Sequence, residues 1–503
     1  MDLAHWIERH AAFIPEGVAI RFSGRDLTYA AMAQEVRRAA VRLSANGVGP
    51  GDVVAYLGQN NPEMLSALFA CARLGAMLMP MNWRLTPAEH ARVFDLCPPC
   101  LLIAETAFLD HARELLGTRA DVRLLLCDGP AADTTNDNFD AGAHELPRPA
   151  AGSGTPVLVC HTSGSTGAPK AVVLTQDALF WNAVNSTHMH DLTSADRILT
   201  TLPMFHVGGL NIQTLPALHA GACVTLHSKF EPGAAIEAIE RERITLTVLV
   251  PAQLVTMMEH PRWDDADLSS LRVITTGSTI VSESFVRRVQ ERGLRLIQIY
   301  GSTETGPIAA YQRAADCERK AGSAGLPALH CELRVVDDKD NDMPPGKDGE
   351  IVVRGPNVMQ RYLNAPAATT AALRDGWYHT NDVGYFDDDG YLHVVARKNE
   401  MIISGGENIF PAELENILAE CPAIREACVV GIQHDRWGEM VVAVVALQPG
   451  VEMNEAEVMA LFAGRLARYK HPRAVRFVES LPRNELGKIK RSALRADSDL
   501  APA

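Results

Sequence analysis

Apolar residues recur along the chain in short continuous runs, separated by amphipathic stretches and by turns marked with glycine and proline. Residues 28–45 have helical spacing, Gly47 and the Gly49-Pro50-Gly51-Asp52 turn end that helix, and 53–57 is a short apolar strand. Pro62 opens a helix to about Leu74, Gly75 closes it, and 77–81 is a second apolar run, so the segment reads strand, helix, strand. A parallel sheet is the simplest consequence. The same order returns where Pro232 starts a helix through Glu242, 245–250 is a β-branched run and Pro251 opens the next helix. After about residue 330 the segments shorten to strands at 332–336, 350–354 and 391–395, with a Pro344-Pro345-Gly346 turn. Beyond Arg397 the pattern predicts strands at 402–404, 427–432 and 440–447 and helices at 411–419 and 455–467. The expected fold is α/β. Residues 1–396 form a large domain of parallel and mixed sheets flanked by helices, with a β-rich subdomain, and 397–503 a small α+β domain.

Composition narrows the function. With 47% apolar and 21% charged residues in 503, the chain buries sizeable cores and is not disordered. Its 47 basic and 61 acidic residues give a formal charge of −14, which supplies no field to attract nucleic acid. The ten cysteines are scattered, and the lone CxxC, Cys97 to Cys100, reads as a loop before an apolar strand, so a reducing cytoplasm is expected. The N-terminal residues are polar and charged where a signal peptide is apolar, and the most apolar stretch, 65–81, is broken by Arg73 and Gly75. No transmembrane segment is expected.

The richest chemistry lies in His161-Thr-Ser-Gly-Ser-Thr-Gly-Ala-Pro-Lys170, where hydroxyls, two glycines and a lysine follow an apolar run. That mixture brings backbone N–H groups and O–H donors close to an anion, as a phosphate-binding loop requires. It differs from the common nucleotide loop, because Gly164 and Gly167 are separated by two residues and Ala171 follows the lysine. Tyr300-Gly-Ser-Thr-Glu304 follows another apolar run and sets hydroxyls beside a carboxylate, a combination suited to phosphate plus Mg²⁺. Further on come Gly376-Trp-Tyr-His-Thr-Asn-Asp382, Arg397, Ser404-Gly-Gly-Glu-Asn408 and Pro482-Arg-Asn-Glu-Leu-Gly-Lys488.

In this order and across nearly the whole chain, these segments resemble the adenylate-forming (ANL) superfamily of acyl-CoA synthetases, firefly luciferases and peptide-synthetase adenylation domains, and bacterial fatty-acyl-CoA synthetases most of all. The resemblance implies an enzyme that joins a carboxylate to the α-phosphate of ATP, releases pyrophosphate and passes the acyl group to a thiol, here that of CoA. It implies ATP and AMP contacts at Thr162, Ser163, Gly164, Ser165, Thr166, Gly167, Lys170, Gly277, Ser278, Tyr300, Gly301, Asp382 and Arg397. Thr303 would meet the α-phosphate, Glu304 would hold Mg²⁺, and Lys488 would bridge carboxylate and phosphate where charge crowding is greatest. The acid pocket would include His206, Val207, Gly208, Asn211, Thr276, Gly301 and Pro307. The small C-terminal domain would rotate about Asn399, bringing Ser404, Gly405, Gly406, Glu407 and Trp437 to a CoA channel. The basic residues Arg465, Arg468, Lys470, Arg473 and Arg476 read either as a contact for CoA phosphates or as solvated surface.

Ala171, Asn381 and the Asn399-Glu400 pair depart from the family's usual text. The first two matter only where the backbone needs a positive φ. In the pocket, His206 stands where amino-acid-activating relatives carry an aspartate, and 207–217 contains no cation to neutralise a second carboxylate, so a neutral monocarboxylic acid is expected. Gly208 and Gly209 beside Leu210 and Ile212 favour a medium- or long-chain fatty acid; Asn211, Gln213 and Thr276 suit the ring substituents of a benzoate or hydroxycinnamate. Delivery to a carrier-protein thiol and a non-catalytic adenylate-binding protein are the remaining alternatives. Oligomeric state, monomer or homodimer, and any peripheral membrane contact are left open.

Overall fold

The computed structural model describes residues 3–117, 119, 121–127, 152, 154–162, 170–278, 281, 283–398, 400–404, 407–434, 438–463, 465–466, 468–483 and 488–496. The chain divides into two compact units: Met1–Thr279, Arg287–Leu333 and Val353–His379 form the first, and Ile280–Val286, Arg334–Val352 and Thr380–Ala503 the second. This division places residues 380–396 with the C-terminal residues, on the other side of the expected 396/397 boundary. Among the described residues no helix is long and apolar enough to cross a membrane.

Among the described residues, two sheets lie wholly within the first unit. In the nine-stranded one, Val18–Phe22, Cys223–Leu226, Arg197–Thr200, Leu246–Val248, Val273–Thr276 and Leu296–Tyr300 lie side by side and parallel. Antiparallel strands flank them, Arg25–Thr28 at one edge, Ala310–Tyr311 and then Leu326–Pro327 at the other. The seven-stranded sheet runs Arg361–Tyr362, Lys170–Thr175, Pro156–Thr162, Met77–Pro80, Val53–Leu57, Leu101–Glu105, Arg123–Cys127, parallel from Pro156–Thr162 onward. Val53–Leu57 and Leu296–Tyr300 are buried at every position, as strands covered on both faces must be, which explains their unbroken apolar text. The predicted strand, helix, strand segment is present: Asn61 caps the N–H of Glu63, Pro62 takes the first helical position, and Gly75 ends the helix at φ 72°.

The second unit is built on the antiparallel pair Ile424–His434 and Gly438–Leu447, extended by Ile402–Ser404 with Glu407–Ile409 on one side and by Ala474–Phe477, parallel, on Gly438–Leu447. Leu414, Leu418, Val441, Val458 and Phe462 fill its core. The helix expected over 455–467 stops at Ala460. Strand Leu392–Arg397 pairs antiparallel with residues 382–386.

Two departures from the family text find their physical account here. Asn381 sits at φ 57°, in the left-handed region that asparagine enters more easily than other side-bearing residues. Ala171 lies inside strand Lys170–Thr175, opposite His161, where a methyl is unstrained. Asn399 lies outside the described residues. Burial raises the thiol pKa of both CxxC cysteines, Cys97 to about 12, which leaves little thiolate for redox or metal chemistry.

A polar knot inside the first unit fixes its central helices. His190 ends helix Gln176–His190; its Nδ1 lies 3.0 Å from the Ser186 carbonyl, so Nδ1 carries the proton and Nε2 accepts from Thr275 Oγ1 at 2.8 Å and Gln213 Nε2 at 3.0 Å. Ser186 Oγ donates to the Ile212 carbonyl at 2.6 Å. Burial pushes the His190 imidazole down from 6.5 to about 4.

Two outcomes follow. Asn381→Gly is expected to keep stability within about 1 kcal/mol, whereas Asn381→Val loses about 1–2 kcal/mol in thermal or denaturant unfolding; equal effects would contradict the strained position. Because folded His190 titrates below its unfolded value, its contribution is complete above pH 6.5 and is lost as pH falls toward 4. The stability gap between the wild type and His190→Gln therefore narrows by up to about 1.4 kcal/mol per pH unit across that window. A gap independent of pH would show that His190 is not held neutral.

Candidate active site

Neighbouring parallel strands carry Thr276 and Tyr300 at their carboxyl ends, the edge where open α/β sheets place ligands. Gly277 follows the first; a Cβ there would stand 2.8 Å from Ile299, so close strand packing excludes any side chain. Ser278 then turns at φ 68°. After Tyr300 the chain passes Gly301, where a Cβ would collide with the Pro307 carbonyl oxygen, and makes a 3₁₀ turn over Thr303–Thr305. The peptide Gly306–Pro307 is cis. Asn357 holds this return, its Nδ2 donating to the carbonyls of Thr305 at 2.6 Å and Ile308 at 2.7 Å.

Glu304 is only 8% exposed on that turn. Its Oε1 accepts from the Tyr362 hydroxyl at 2.8 Å, and its carbonyl accepts from the Met359 N–H at 2.7 Å. The Tyr362 ring lies 4.8 Å from Lys170 Nζ, so one side chain spans from the lysine after the phosphate loop to the buried carboxylate. Thr162 lies across from Lys170 in the antiparallel pair. Ser163, Gly164, Ser165, Thr166 and Gly167 fall outside the described residues. Among the described residues no group of three or more potential metal ligands assembles. One buried carboxylate there suits Mg²⁺, which uses one or two carboxylates with substrate phosphates and water. The Tyr378 phenol is also buried here, and desolvation, with the Glu304 charge adding, pushes it well above its ordinary value.

The three segments expected to hold the acid converge. His206 precedes helix Val207–Asn211, its ring 4.4 Å from that of Phe205. Asn211 is fully buried; its Nδ2 donates to the Gly306 carbonyl and its own carbonyl accepts from Asn182 Nδ2 at 2.6 Å, while Asn182 Oδ1 accepts from the Ile308 N–H at 3.1 Å. Helix 207–211 is thereby fastened to Gly306, Pro307 and Ile308. Asn211 Oδ1, Gln213 Oε1 and Thr276 Oγ1 are buried with no hydrogen-bond partner among the described residues. A small cavity beside Gly208 is lined also by Thr201, Gly209, Gln213, Thr214 and Val248, none of them charged. The room expected for an extended tail is smaller than two glycines suggest. Gly209 is pressed against the carbonyls of Leu202 and Pro203, and Leu210 and Ile212 are core residues; a Cβ at Gly208 would meet only Ile212 Cδ1, at 3.9 Å.

In the second unit, Asp382 is buried and stands opposite Arg397 in register, its N–H donating to Thr380 Oγ1 at 3.0 Å. Ser404 is buried and pairs with Glu407 and with Gly438. Gly405, Gly406 and Trp437 lie outside the described residues. Lys488 is exposed, next to the bridge between Arg483 and Ile489. Of the basic residues near the C-terminus, Arg465 is ion-paired with Glu420 and Lys470 with Glu413, each at 2.6 Å, which favours the plain surface reading for those two. Sequence analysis missed Tyr362, Asn182, Asn357 and His190, whose contacts with the site are long-range and leave no local pattern.

Known proteins share the sequence and the fold of this chain along most of its length. Residues 7–363 match the AMP-binding enzyme family and residues 413–488 its C-terminal domain. An indoleacetate–CoA ligase of Aromatoleum aromaticum is 55% identical over 498 residues, 98% of each chain. A feruloyl-CoA synthase of an Amycolatopsis species is 42% identical over 493 residues, again 98% of each. Among solved structures, o-succinylbenzoate CoA synthetase from Bacillus subtilis in complex with its acyl-adenylate intermediate superposes with a TM-score of 0.86 at 30% identity, covering 99% of both chains. The chain belongs to the AMP-binding family of adenylate-forming enzymes, among its acid–CoA ligases.

Proposed function

We propose that this ligase activates an aromatic monocarboxylic acid of the arylacetic or hydroxycinnamic kind as its adenylate and transfers the acyl group to CoA. The likeness to the indoleacetate enzyme over 98% of both chains carries the choice of acid. The buried, unpartnered Asn211 and Thr276 oxygens support it, because a ring bearing an N–H or O–H donor would find acceptors there that an alkyl chain leaves unpaired. The crowding of Gly209 against the Leu202 and Pro203 carbonyls weighs against the fatty acid expected from side-chain size.

Bringing a carboxylate to a triphosphate crowds like charges, and the chain's residues answer that problem in parts. Residues 163–170 hold the β- and γ-phosphates, Thr303 donates to the α-phosphate, and Gly277, Ser278 and Tyr300 hold the adenine. Glu304 would hold Mg²⁺, which would neutralise charge on the phosphate oxygens. Asp382, beside Arg397, accepts from the ribose hydroxyls. Lys488 places its ammonium between carboxylate and α-phosphate and stabilises the charge that develops there. The carboxylate oxygen attacks the α-phosphorus and pyrophosphate departs; the CoA thiolate then attacks the acyl carbon and AMP departs. For the second step the C-terminal domain turns about Asn399, near the 396/397 boundary, withdrawing Lys488 and presenting 404–407 and Trp437 to pantetheine.

Pyrophosphate release with ATP and Mg²⁺ against arylacetic, hydroxycinnamic, benzoic and fatty acids, each with and without CoA, tests the proposal. The expected result is a CoA-stimulated signal with the highest kcat/KM for an arylacetic or hydroxycinnamic acid; preference for a fatty acid would overturn it. Lys488→Ala is expected to slow adenylate formation by about 10²–10³-fold, while transfer from supplied acyl-adenylate to CoA stays within about tenfold. Equal loss of both half-reactions would contradict the two-orientation account.

A further inference from the structure

We infer that Tyr362 is a positioning residue that joins the phosphate-loop lysine and the metal-binding carboxylate into one preorganised unit, an inference resting on the roles proposed above for Lys170 and Glu304. Tyr362 is 4% exposed and belongs to a two-residue strand paired with Lys170–Thr175, Tyr362 opposite Val172 and Arg361 opposite Val173. The flanking N–H groups of Gln360 and Leu363 extend the ladder to the carbonyls of Val173 at 2.9 Å and Ala171 at 2.8 Å. The strand that begins with Lys170 therefore also fixes the Tyr362 backbone, and the ring meets Lys170 Nζ at 4.8 Å.

From the other end the phenol donates to Glu304 Oε1 at 2.8 Å, while the Met359 N–H, three residues before Tyr362, holds the Glu304 carbonyl at 2.7 Å. Residues 359–362 thus grip Glu304 by backbone and by side chain. A neutral phenol donor orients a carboxylate without cancelling its charge, so the carboxylate keeps its attraction for a cation. The ring face steadies the ammonium without forming the ion pair that would cancel Lys170 against Glu304. Anion-binding and cation-binding groups are in this way kept adjacent and unneutralised before substrate arrives.

The two contacts separate by mutation. Tyr362→Phe keeps the ring face and loses the donor; Tyr362→Leu loses both. Calorimetric binding of ATP to the full-length protein, in EDTA and in excess Mg²⁺, gives the affinity without metal and the enhancement produced by it. The expected result is that Tyr362→Phe lowers the Mg²⁺ enhancement by about tenfold and leaves binding in EDTA unchanged within about twofold, while Tyr362→Leu weakens both. Glu304→Gln, measured alongside, should abolish the enhancement. If Glu304→Gln loses the enhancement and Tyr362→Phe retains it, the positioning role is wrong and the metal assignment stands. If Glu304→Gln retains it, the metal assignment itself is wrong and the inference falls with it. Loss by Tyr362→Phe of binding in EDTA to the same degree would mark a merely structural role and also overturn the inference.

Discussion

A collision that only glycine avoids sets the shape of this site. Any side chain at Gly301 would meet the Pro307 carbonyl, so the chain leaving strand Leu296–Tyr300 can double back tightly enough to put Glu304 on a short turn beside the strand ends. Asn357 and Asn182 then tie that return to the rest of the first unit, and Asn211 carries the same constraint into helix Val207–Asn211. Widening the Gly301 contact would move the carboxylate, the acid-pocket helix and the Gly306–Pro307 segment together.

What the constraint accomplishes is electrostatic. In the proposed reaction the site must attract two anions and still keep a carboxylate of its own for a cation. A direct Lys170–Glu304 pair would satisfy both groups and disable both; a tyrosine between them holds each in place with its charge intact. The surroundings of helix Val207–Asn211 are arranged on the opposite principle. No ionisable side chain lines the small cavity beside Gly208, and the buried polarity around that helix comes from amide and hydroxyl groups, some of them bonded to a histidine kept neutral by burial.

The sequence disclosed what is local. Turn residues and apolar runs marked the strand, helix, strand order, and the ends of those strands carried the hydroxyl and carboxylate text that pointed to the family. Positive φ at Asn381 and an ordinary strand conformation at Ala171 show why both departures are tolerated, a distinction that residue identity alone does not make. The rest was hidden for physical reasons. Tyr362 reaches Glu304 across 58 residues and Asn182 reaches Ile308 across 126, and such contacts have no period or spacing. Gly208 and Gly209 look alike in sequence, yet a Cβ at one would meet a single side-chain methyl at 3.9 Å and at the other two backbone carbonyls, which is why side-chain size favoured a fatty acid. The helix over 455–467 was overextended because tertiary packing, not periodicity, decides where a short helix ends.

The central claim is that the carboxylate itself attacks the α-phosphorus of ATP. An aryl acid labelled with ¹⁸O in both carboxylate oxygens, turned over with ATP and CoA and analysed by mass spectrometry, tests it most directly. Attack at the α-phosphorus leaves one acid oxygen bridging to AMP, and cleavage of the acyl C–O bond by the thiolate sends it out with the nucleotide. The account predicts AMP carrying one ¹⁸O and unlabelled pyrophosphate. Unlabelled AMP, or ADP with labelled phosphate, would contradict it.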